Sequence, residues 1–407
     1  MKWLRPSMVV LFSVLTILAL AACSGGAATS GGGQSSSSTP GSTGAQSGGA
    51  AQKSSEPINI GVSAPLTGQF AEDGGYMKNG INLAVKDIND KGGINSRQIK
   101  LFWEDDQGPN PTAASNAVTK LITQDNVVAV IGPHFSPAML PTEPIFQKYS
   151  VPALTGATGP PITAQNNPWI FRIRLNDEVG ARLLVKYAVE TLGLKKIGLD
   201  YVNTAFGQGG IAVVQDELKK RGITPVITET HQDDTKDFTP QILAFQQKGV
   251  DGIIVWTDDQ PGGLLAKQMA TLGAKFKLVG STTFSQPPFL KLAGDAANGA
   301  VSISDFVPDN PDQHVQAWMK KFSAVYNAQP ELYASAYYDA TNILAAAIKK
   351  SSKVDGPSIQ KALQGIQDFQ GVMTQYSWSS NGDMVHSGLI TEVKNGKPEV
   401  VQVVKEK

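Results

Sequence analysis

The stretch INIGVS, residues Ile58 to Ser63, opens the folded part of this chain and decides its fold class. Its apolar, β-branched residues predict a buried strand. A helical stripe of apolar residues follows in Gly75 to Asn89, and a second strand is predicted over Gln98 to Glu104. A helix over Ala113 to Thr123 and an apolar strand over Val127 to Ile131 continue the alternation. Strands that alternate with helices predict a parallel sheet covered on both faces, an α/β fold.

The same order of features returns farther along the chain. In the first copy, Ile60-Gly61 precedes Phe70 and a Gly-Gly pair that opens a helix. In the second copy, Ile197-Gly198 precedes Phe206 and another Gly-Gly pair. An Asp-Asp pair, a proline, a helix and an apolar strand then follow in both. Two similar βαβ lobes are the simplest interpretation, although unrelated α/β units also share such features.

The C-terminal third is predicted to be helical over Asp312 to Asn327 and Ala334 to Ser351. Two strands follow, around Val372 to Trp378 and Leu389 to Val404. Between them, Asn381-Gly382-Asp383 has the composition of a tight turn.

The N-terminus has the features of an export signal. Lys2 and Arg5 precede an apolar run, Met8 to Leu20, that is short for a membrane span. Small residues then lead to Cys23, the single cysteine of the chain. The segment resembles a bacterial lipoprotein signal, with residues 1–22 removed and Cys23 lipidated. The alternative is an ordinary secretory signal that contains a cysteine.

Residues 23–56 are predicted to be a flexible tether between this anchor and the folded part. Ser24 to Glu56 contains no Leu, Ile, Val or Phe and is rich in Gly and Ser. Such a segment cannot bury enough apolar surface to offset its ordering entropy. The protein is therefore expected on the extracytoplasmic face of the cell membrane.

Charge and composition exclude several classes of function. The chain carries 35 basic and 35 acidic residues, which gives no electrostatic reason to bind nucleic acid. Its four histidines lie far apart, and no metalloprotease, Walker A or nucleophile-elbow motif occurs. Gly207 to Ala212 fits a dinucleotide-binding pattern formally, but Asn203 to Phe206 separates it from its strand. Asp105-Asp106 is either an acid/base or metal pair, or a pair that caps the next helix and faces solvent.

Several short segments, in order, resemble the leucine/isoleucine/valine-binding proteins of ABC importers, which have the type I periplasmic-binding fold. The resemblance covers Pro57 to Lys407. It rests on Ile60 to Gly68, Asp87 to Ile94, Asp105-Asp106, Val130 to Gly132 with Ser136, Phe171-Arg172, Ala205 to Gly209, Tyr338 to Ala340 and Asn381 to Asp383.

The resemblance implies two Rossmann-like lobes joined by a three-segment hinge. Residues 57–177 and 305–375 are assigned to the N-terminal lobe, and residues 178–304 and 376–407 to the C-terminal lobe. It implies a monomer that performs no chemistry, needs no cofactor or metal, and closes on a small-molecule solute for the permease subunits of an ABC importer. The alternative is a sensory protein of the same fold that acts through a receptor.

The first lobe is expected to bind the solute's carboxylate. Ser136-Pro137 predicts a helix start with Ser136 as N-cap, where free N–H groups and the helix dipole favour an anion. The resemblance places the carboxylate-binding serine at Ser136, which could otherwise serve as a cap alone. It places Ala157 and Thr158 in a loop that contacts both carboxylate and ammonium. A plain turn is the alternative for that loop.

The second lobe carries the main departure from the family pattern. The resemblance places an aromatic ligand contact at Phe206, which could instead belong to the lobe core. A further contact falls near Asp258, and the acid that pairs with an α-ammonium aligns near Thr282. A neutral threonine cannot supply that charge. Either Asp258 or Asp259 substitutes for it, or the solute is a carboxylate without an amine.

Overall fold

The computed structural model describes residues 56–384 and 388–404. The predicted signal peptide, Cys23 and the tether up to residue 55 lie outside the described residues. Within the described ranges, no helix is both long enough and apolar enough to cross a bilayer.

The first lobe is built on a sheet of five parallel strands in the order β2-β1-β3-β4-β5. The pairing of β1 with β2 runs from Ile58 opposite Ile99 to Ala64 opposite Asp105. The strands are β1 (Ile58–Ala64), β2 (Ile99–Asp105), β3 (Ala129–Ile131), β4 (Ala153–Thr155) and β5 (Ile170–Arg172).

The second lobe is built on a sheet of seven strands in the order β14-β13-β10-β9-β8-β6-β7. Its first five strands in sequence are parallel, and β13 and β14 add an antiparallel edge. The strands are β6 (Ile197–Val202), β7 (Ile227–His231), β8 (Gly252–Trp256), β9 (Lys277–Gly280), β10 (Val301–Ser304), β13 (Gly388–Lys394) and β14 (Lys397–Val404). The short strands β11 (Phe369–Gln370) and β12 (Gln375–Tyr376) pair separately.

Helices flank both sheets. Those of the first lobe are α1 (Ala71–Asp90), α2 (Pro111–Thr123), α3 (Ser136–Tyr149), α4 (Pro161–Ala164), α10 (Gln313–Tyr326), α11 (Leu332–Lys350) and α12 (Gly356–Gln364). Those of the second lobe are α5 (Asp177–Lys186), α6 (Ala205–Lys220), α7 (Thr239–Lys248), α8 (Asp259–Thr271) and α9 (Pro287–Ala293).

The two sheets share one strand order. Counting from the first strand of each lobe, both run second, first, third, fourth, fifth. This agrees with the repeat seen in the sequence. The predicted fold class, two parallel-sheet lobes flanked by helices, is confirmed.

The final passage between lobes differs from the predicted boundary after residue 375. Tyr376, Trp378 and Met384 are buried in the core of the first lobe. Trp378 packs edge-on against Phe171 of β5, with ring centroids 5.2 Å apart. Because these apolar side chains have their burial partners in the first lobe, residues 376–384 belong to that lobe, and the second lobe resumes with β13 at Gly388.

Two strand predictions also differ. The predicted strand Leu389 to Val404 is a hairpin, because Asn395 and Gly396 both adopt positive φ and turn the chain. The predicted strand Val372 to Trp378 is reduced to β12, which pairs with β11 over two residues.

Candidate ligand-binding site

A narrow cavity lies between the two lobes, at the carboxyl ends of their strands. Its volume of about 20 Å³ is room for a single water molecule. The first lobe contributes the loops after β3 and β4 and the start of α11. The second lobe contributes the loops after β8 and β9 and the start of α6. Ala157 is not part of the wall, which contains the other predicted binding residues, Ser136, Thr158, Phe206, Asp258 and Thr282.

The lobes touch along the rim of this cavity. The Gln69 side chain of the first lobe donates to the Asp233 carbonyl of the second at 3.1 Å. The Gln260 side chain donates in return to the Gln69 carbonyl. The structure is therefore a closed form, in which a bound solute would contact both lobes.

Ser136 lies at the first position of α3, not at the predicted N-cap, which is Phe135. Its hydroxyl makes no capping bond and instead accepts from the Gly159 N–H at 3.1 Å. The Ser136 hydroxyl thereby fixes the loop after β4. Its backbone N–H, at a position with no intrahelical acceptor, is free to meet a ligand at the positive end of the helix dipole.

The loop after β4 is held by its own hydrogen bonds. The Thr155 hydroxyl donates to the Pro133 carbonyl at 2.6 Å and accepts from the Ala157 N–H at 3.0 Å. The internal use of this N–H explains why Ala157 offers the cavity nothing. The Thr158 hydroxyl donates to Asp177 at 3.0 Å, so that it can only accept from a ligand.

Backbone donors consequently remain on this wall. Among the described residues, neither the Ser136 N–H nor the Thr158 N–H finds an acceptor. The Ser136 N–H lies at a helix N-terminus, a position that favours an anion, and the Thr158 N–H lies on the loop after β4.

The opposite wall carries a carboxylic acid. Asp258 precedes α8 and caps no backbone N–H with its side chain. Burial, reinforced by the charge of Asp259, raises the pKa of Asp258 to about 8. Burial also raises the pKa of Asp259 to about 7. Asp258 is part of the cavity wall and Asp259 is not.

Phe206 and Thr282 complete the second lobe's contribution. Phe206 lies in the first turn of α6, with its ring centroid 6.5 Å from that of Trp256. Thr282 begins a short 3-10 turn, and its carbonyl accepts from the Ser285 hydroxyl at 2.9 Å. Both are buried, and neither carries a charge.

The polar wall residues that sequence reasoning missed include His134, Arg174 and Tyr333. Arg174 is bound by Asp305 through two hydrogen bonds, at 2.9 and 3.1 Å, and its guanidinium lies over the Tyr333 ring. These residues lie in the loop after β3, in the first passage between lobes and at the start of α11. The sequence signal that could have identified them is their position next to the ends of predicted strands and helices.

His134 is neutral. Burial, followed by the charge of Arg174, lowers the pKa of His134 to about 3. The Tyr337 hydroxyl accepts from the Gly156 N–H at 3.1 Å and lies 3.0 Å from His134 Nδ1. This hydroxyl engages Nδ1, so that Nε2 is the remaining polar atom of the neutral ring.

An Asp-His-hydroxyl array lies deeper in the second lobe. His231 Nδ1 is 3.1 Å from Asp200, and Nε2 is 2.7 Å from the Thr257 hydroxyl. The Asp200 and Thr257 side chains are fully buried, so no substrate can reach the hydroxyl. Within the described residues, no group of three or more potential ligands is arranged for a metal ion.

The predicted solvent-facing alternative for Asp105-Asp106 is wrong for Asp106. That carboxylate is buried and accepts from the Ser63 hydroxyl at 2.9 Å and from the Gly108 N–H at 3.0 Å. The next helix is capped by Asn110 instead. Asp106 therefore fixes the loop after β2.

Comparison with known proteins agrees with this architecture. Residues 57–398 match the family described as Periplasmic binding protein. A Leu/Ile/Val-binding protein of Rhizobium johnstonii is 28% identical over 331 residues, which cover 80% of this chain and 89% of that protein. A homologue of the same description from Brucella abortus is 28% identical over 328 residues, covering 80% and 87%.

Solved structures show the same fold. The branched-chain amino acid transporter substrate-binding protein LivJ of Streptococcus pneumoniae, in complex with isoleucine, superposes with a TM-score of 0.81 at 26% identity. That comparison covers 86% of this chain and all 100% of the other. A solute-binding protein of R. palustris in complex with benzoate superposes with a TM-score of 0.79, covering 86% and 98%, and its 21% identity supports the fold alone.

Proposed function

Because this chain belongs to the periplasmic binding protein family, we propose that it captures a small carboxylate-bearing solute and delivers it to an ABC importer. Proteins of this family are extracytoplasmic and bind solutes without transforming them. Within the carboxylate-bearing solutes, the proposed class is an amino acid or a close relative of one.

The unpaired N–H groups of Ser136 and Thr158 are the observation that carries this proposal. One donor lies at the first position of a 14-residue helix and the other on the neighbouring loop after β4, and such donors suit a carboxylate group. His134 lies on the same side of the cavity as a neutral ring. Arg174 also reaches this side, with its charge paired to Asp305.

Asp258 supports an amino group on the same solute. An ammonium beside this carboxyl would supply the missing countercharge and lower its pKa again. The similarity to Leu/Ile/Val-binding proteins and to LivJ with isoleucine points to an amino acid as well. A solute without an amine would instead meet a protonated Asp258, which can still donate a hydrogen bond.

Closure of the lobes would couple binding to transport. The solute contacts both walls only when the lobes meet, so binding shifts the hinge equilibrium towards the closed form. The proposed role of the permease subunits is to recognise that form. The lipid anchor on Cys23 and the monomeric state complete the proposal.

Thermal-shift and calorimetric screening of the purified protein tests the function. The panel contains branched-chain, polar and basic amino acids, their deaminated analogues and aromatic acids. A solute at 100 times its dissociation constant is expected to stabilise the closed protein by about 2.7 kcal/mol. If no carboxylate-bearing compound binds while an uncharged solute does, the proposed class is wrong.

A further inference from the structure

We propose that the solute carries a second positive charge, remote from its carboxylate, and that Asp73 and Asp259 hold that charge between the lobes. This rests on the proposed function and names the class of side chain that the site takes. The solute is then a basic amino acid, with its carboxylate on the first lobe's N–H groups and its α-ammonium at Asp258.

Asp73 and Asp259 come from opposite lobes and lie at helix starts beside the closed rim. Asp73 lies in the first turn of α1, and Asp259 is the first residue of α8. The helix starts are linked across the rim through Gln69 and Gln260. Each of the two aspartates is only 2% exposed.

Both side chains keep one oxygen without a partner. Asp259 Oδ1 accepts from the Gln260 N–H at 2.9 Å, while Asp259 Oδ2 and Asp73 Oδ1 accept nothing in the part of the chain that the structure describes. A buried carboxylate oxygen without a donor is costly. An ammonium or guanidinium group supplies several donors and a charge at once.

The part of the chain that the structure describes brings no cation to this place. Arg174 is engaged by Asp305, and the exposed Lys291 lies 3.9 Å from Glu72. No ion pair within residues 56–384 and 388–404 includes Asp73 or Asp259. These residues also form no cluster suited to a metal, which favours an organic cation.

Position links the two helix starts to the cavity. Asp259 directly follows the wall residue Asp258, and Phe70, which precedes α1, packs on the wall residue Phe135 with ring centroids 4.7 Å apart. Burial and then the charge of Asp259 hold the pKa of Asp73 well above its ordinary value. The same two carboxylates, after burial, raise the pKa of Tyr333, which is a wall residue. One α-ammonium at Asp258 leaves this second acidic pair uncompensated.

Calorimetry with two matched ligand pairs tests the inference. L-Lysine and L-norleucine differ at the distal ammonium, as do L-ornithine and L-norvaline. In at least one pair, the cationic member is expected to bind about 100-fold tighter, because its uncharged partner would leave the buried carboxylates without a countercharge. Asp73→Asn and Asp259→Asn are each expected to remove most of that preference. The control Asp90→Asn changes an exposed residue at the far end of α1 and should keep it.

The outcomes separate this inference from the proposed function. Equal or tighter binding of norleucine and norvaline by the parent protein would overturn the second-charge proposal and leave the amino-acid site standing. A cationic preference that survives in both Asn variants would overturn the assignment to Asp73 and Asp259. Failure of these four compounds to bind while another carboxylate-bearing solute does would overturn the second-charge proposal alone, and failure of every carboxylate-bearing solute would overturn both proposals. Circular dichroism of the ligand-free variants checks that each is folded.

Discussion

The two lobes put chemically opposite groups at equivalent places. The loop after the third strand of the first lobe leads to Ser136 and an unpaired helix N–H, whereas the same loop of the second lobe leads to Asp258 and Asp259. Both loops lie where α/β sheets place ligands. In the proposed function, strand order places the solute at this edge of both sheets, and a few residues at the helix starts decide which of its ends faces which lobe.

Placing an acid in the anion-binding half should have the largest effect. Ser136→Asp would set a carboxylate against the solute's carboxylate, and like charges at such contacts cost several kcal/mol. Affinity is expected to fall by more than about 100-fold in calorimetry. Ser352→Asp, on an exposed residue of the same lobe, is the control and should bind as the parent does. Unchanged affinity in Ser136→Asp would place the carboxylate elsewhere.

Removing single hydrogen bonds from the same half should have a smaller effect. Ser136→Ala frees the Gly159 N–H, and Thr158→Val removes the bond to Asp177. Each is expected to weaken binding by about 1–3 kcal/mol, the range for hydrogen bonds to charged or buried groups. Calorimetry gives the affinity and a thermal melt without ligand gives the cost to stability. Parent-like affinity in both variants would contradict the proposed loop.

The acidic half should make the ligand-free protein sensitive to pH. Because folding raises the pKa of Asp258 to about 8 from 3.8, the folded form binds the extra proton between these values. Stability is therefore expected to fall as pH rises through that window. In Asp258→Asn, the loss of unfolding free energy across this pH window should be smaller by at least about 1.4 kcal/mol, the equivalent of one pKa unit. Parallel melting curves for parent and variant across pH 4–8 would show that Asp258 titrates normally.

The anchor should not affect the site at all. Cys23→Ala is expected to release the protein from membranes without changing its affinity, because the anchor is covalent and the tether has nothing apolar to pack. Membrane fractionation after a high-salt wash and calorimetry on the released protein measure the two effects. Retention on membranes would contradict lipidation at Cys23.

Much of the fold was predictable because apolar periodicity records which face of an element is buried. The strands and helices from Ile58 to Ile131 were placed within a few residues. The C-terminal edge of the second sheet was not predicted correctly. Asn395-Gly396 is a strong hairpin signal, but the predicted strand included both residues. The last change of lobe was missed because the burial partner of Trp378 is Phe171, far away in sequence.

The site was predictable at the ends of strands and less so elsewhere. Ser136, Thr158 and Asp258 follow strands directly, and the structure brings them to one cavity. Tyr333 and Arg174 reach it from the start of a helix and from a passage between lobes, where no periodicity identifies a ligand contact. Asp73 lies on a helix whose pattern cannot show that its first turn meets α8 of the other lobe.

A thermodynamic cycle on Asp258 tests most directly whether the lobes divide the solute between them. Calorimetry would compare a bound amino acid and its deaminated analogue against the parent and Asp258→Asn. Loss of either the amine or the Asp258 charge is expected to cost several kcal/mol, about 3–5 for a desolvated pair, and the analogue should bind both proteins alike. If the parent prefers the amine and Asp258→Asn keeps the whole preference, the second lobe does not hold the ammonium at Asp258 and the account is contradicted.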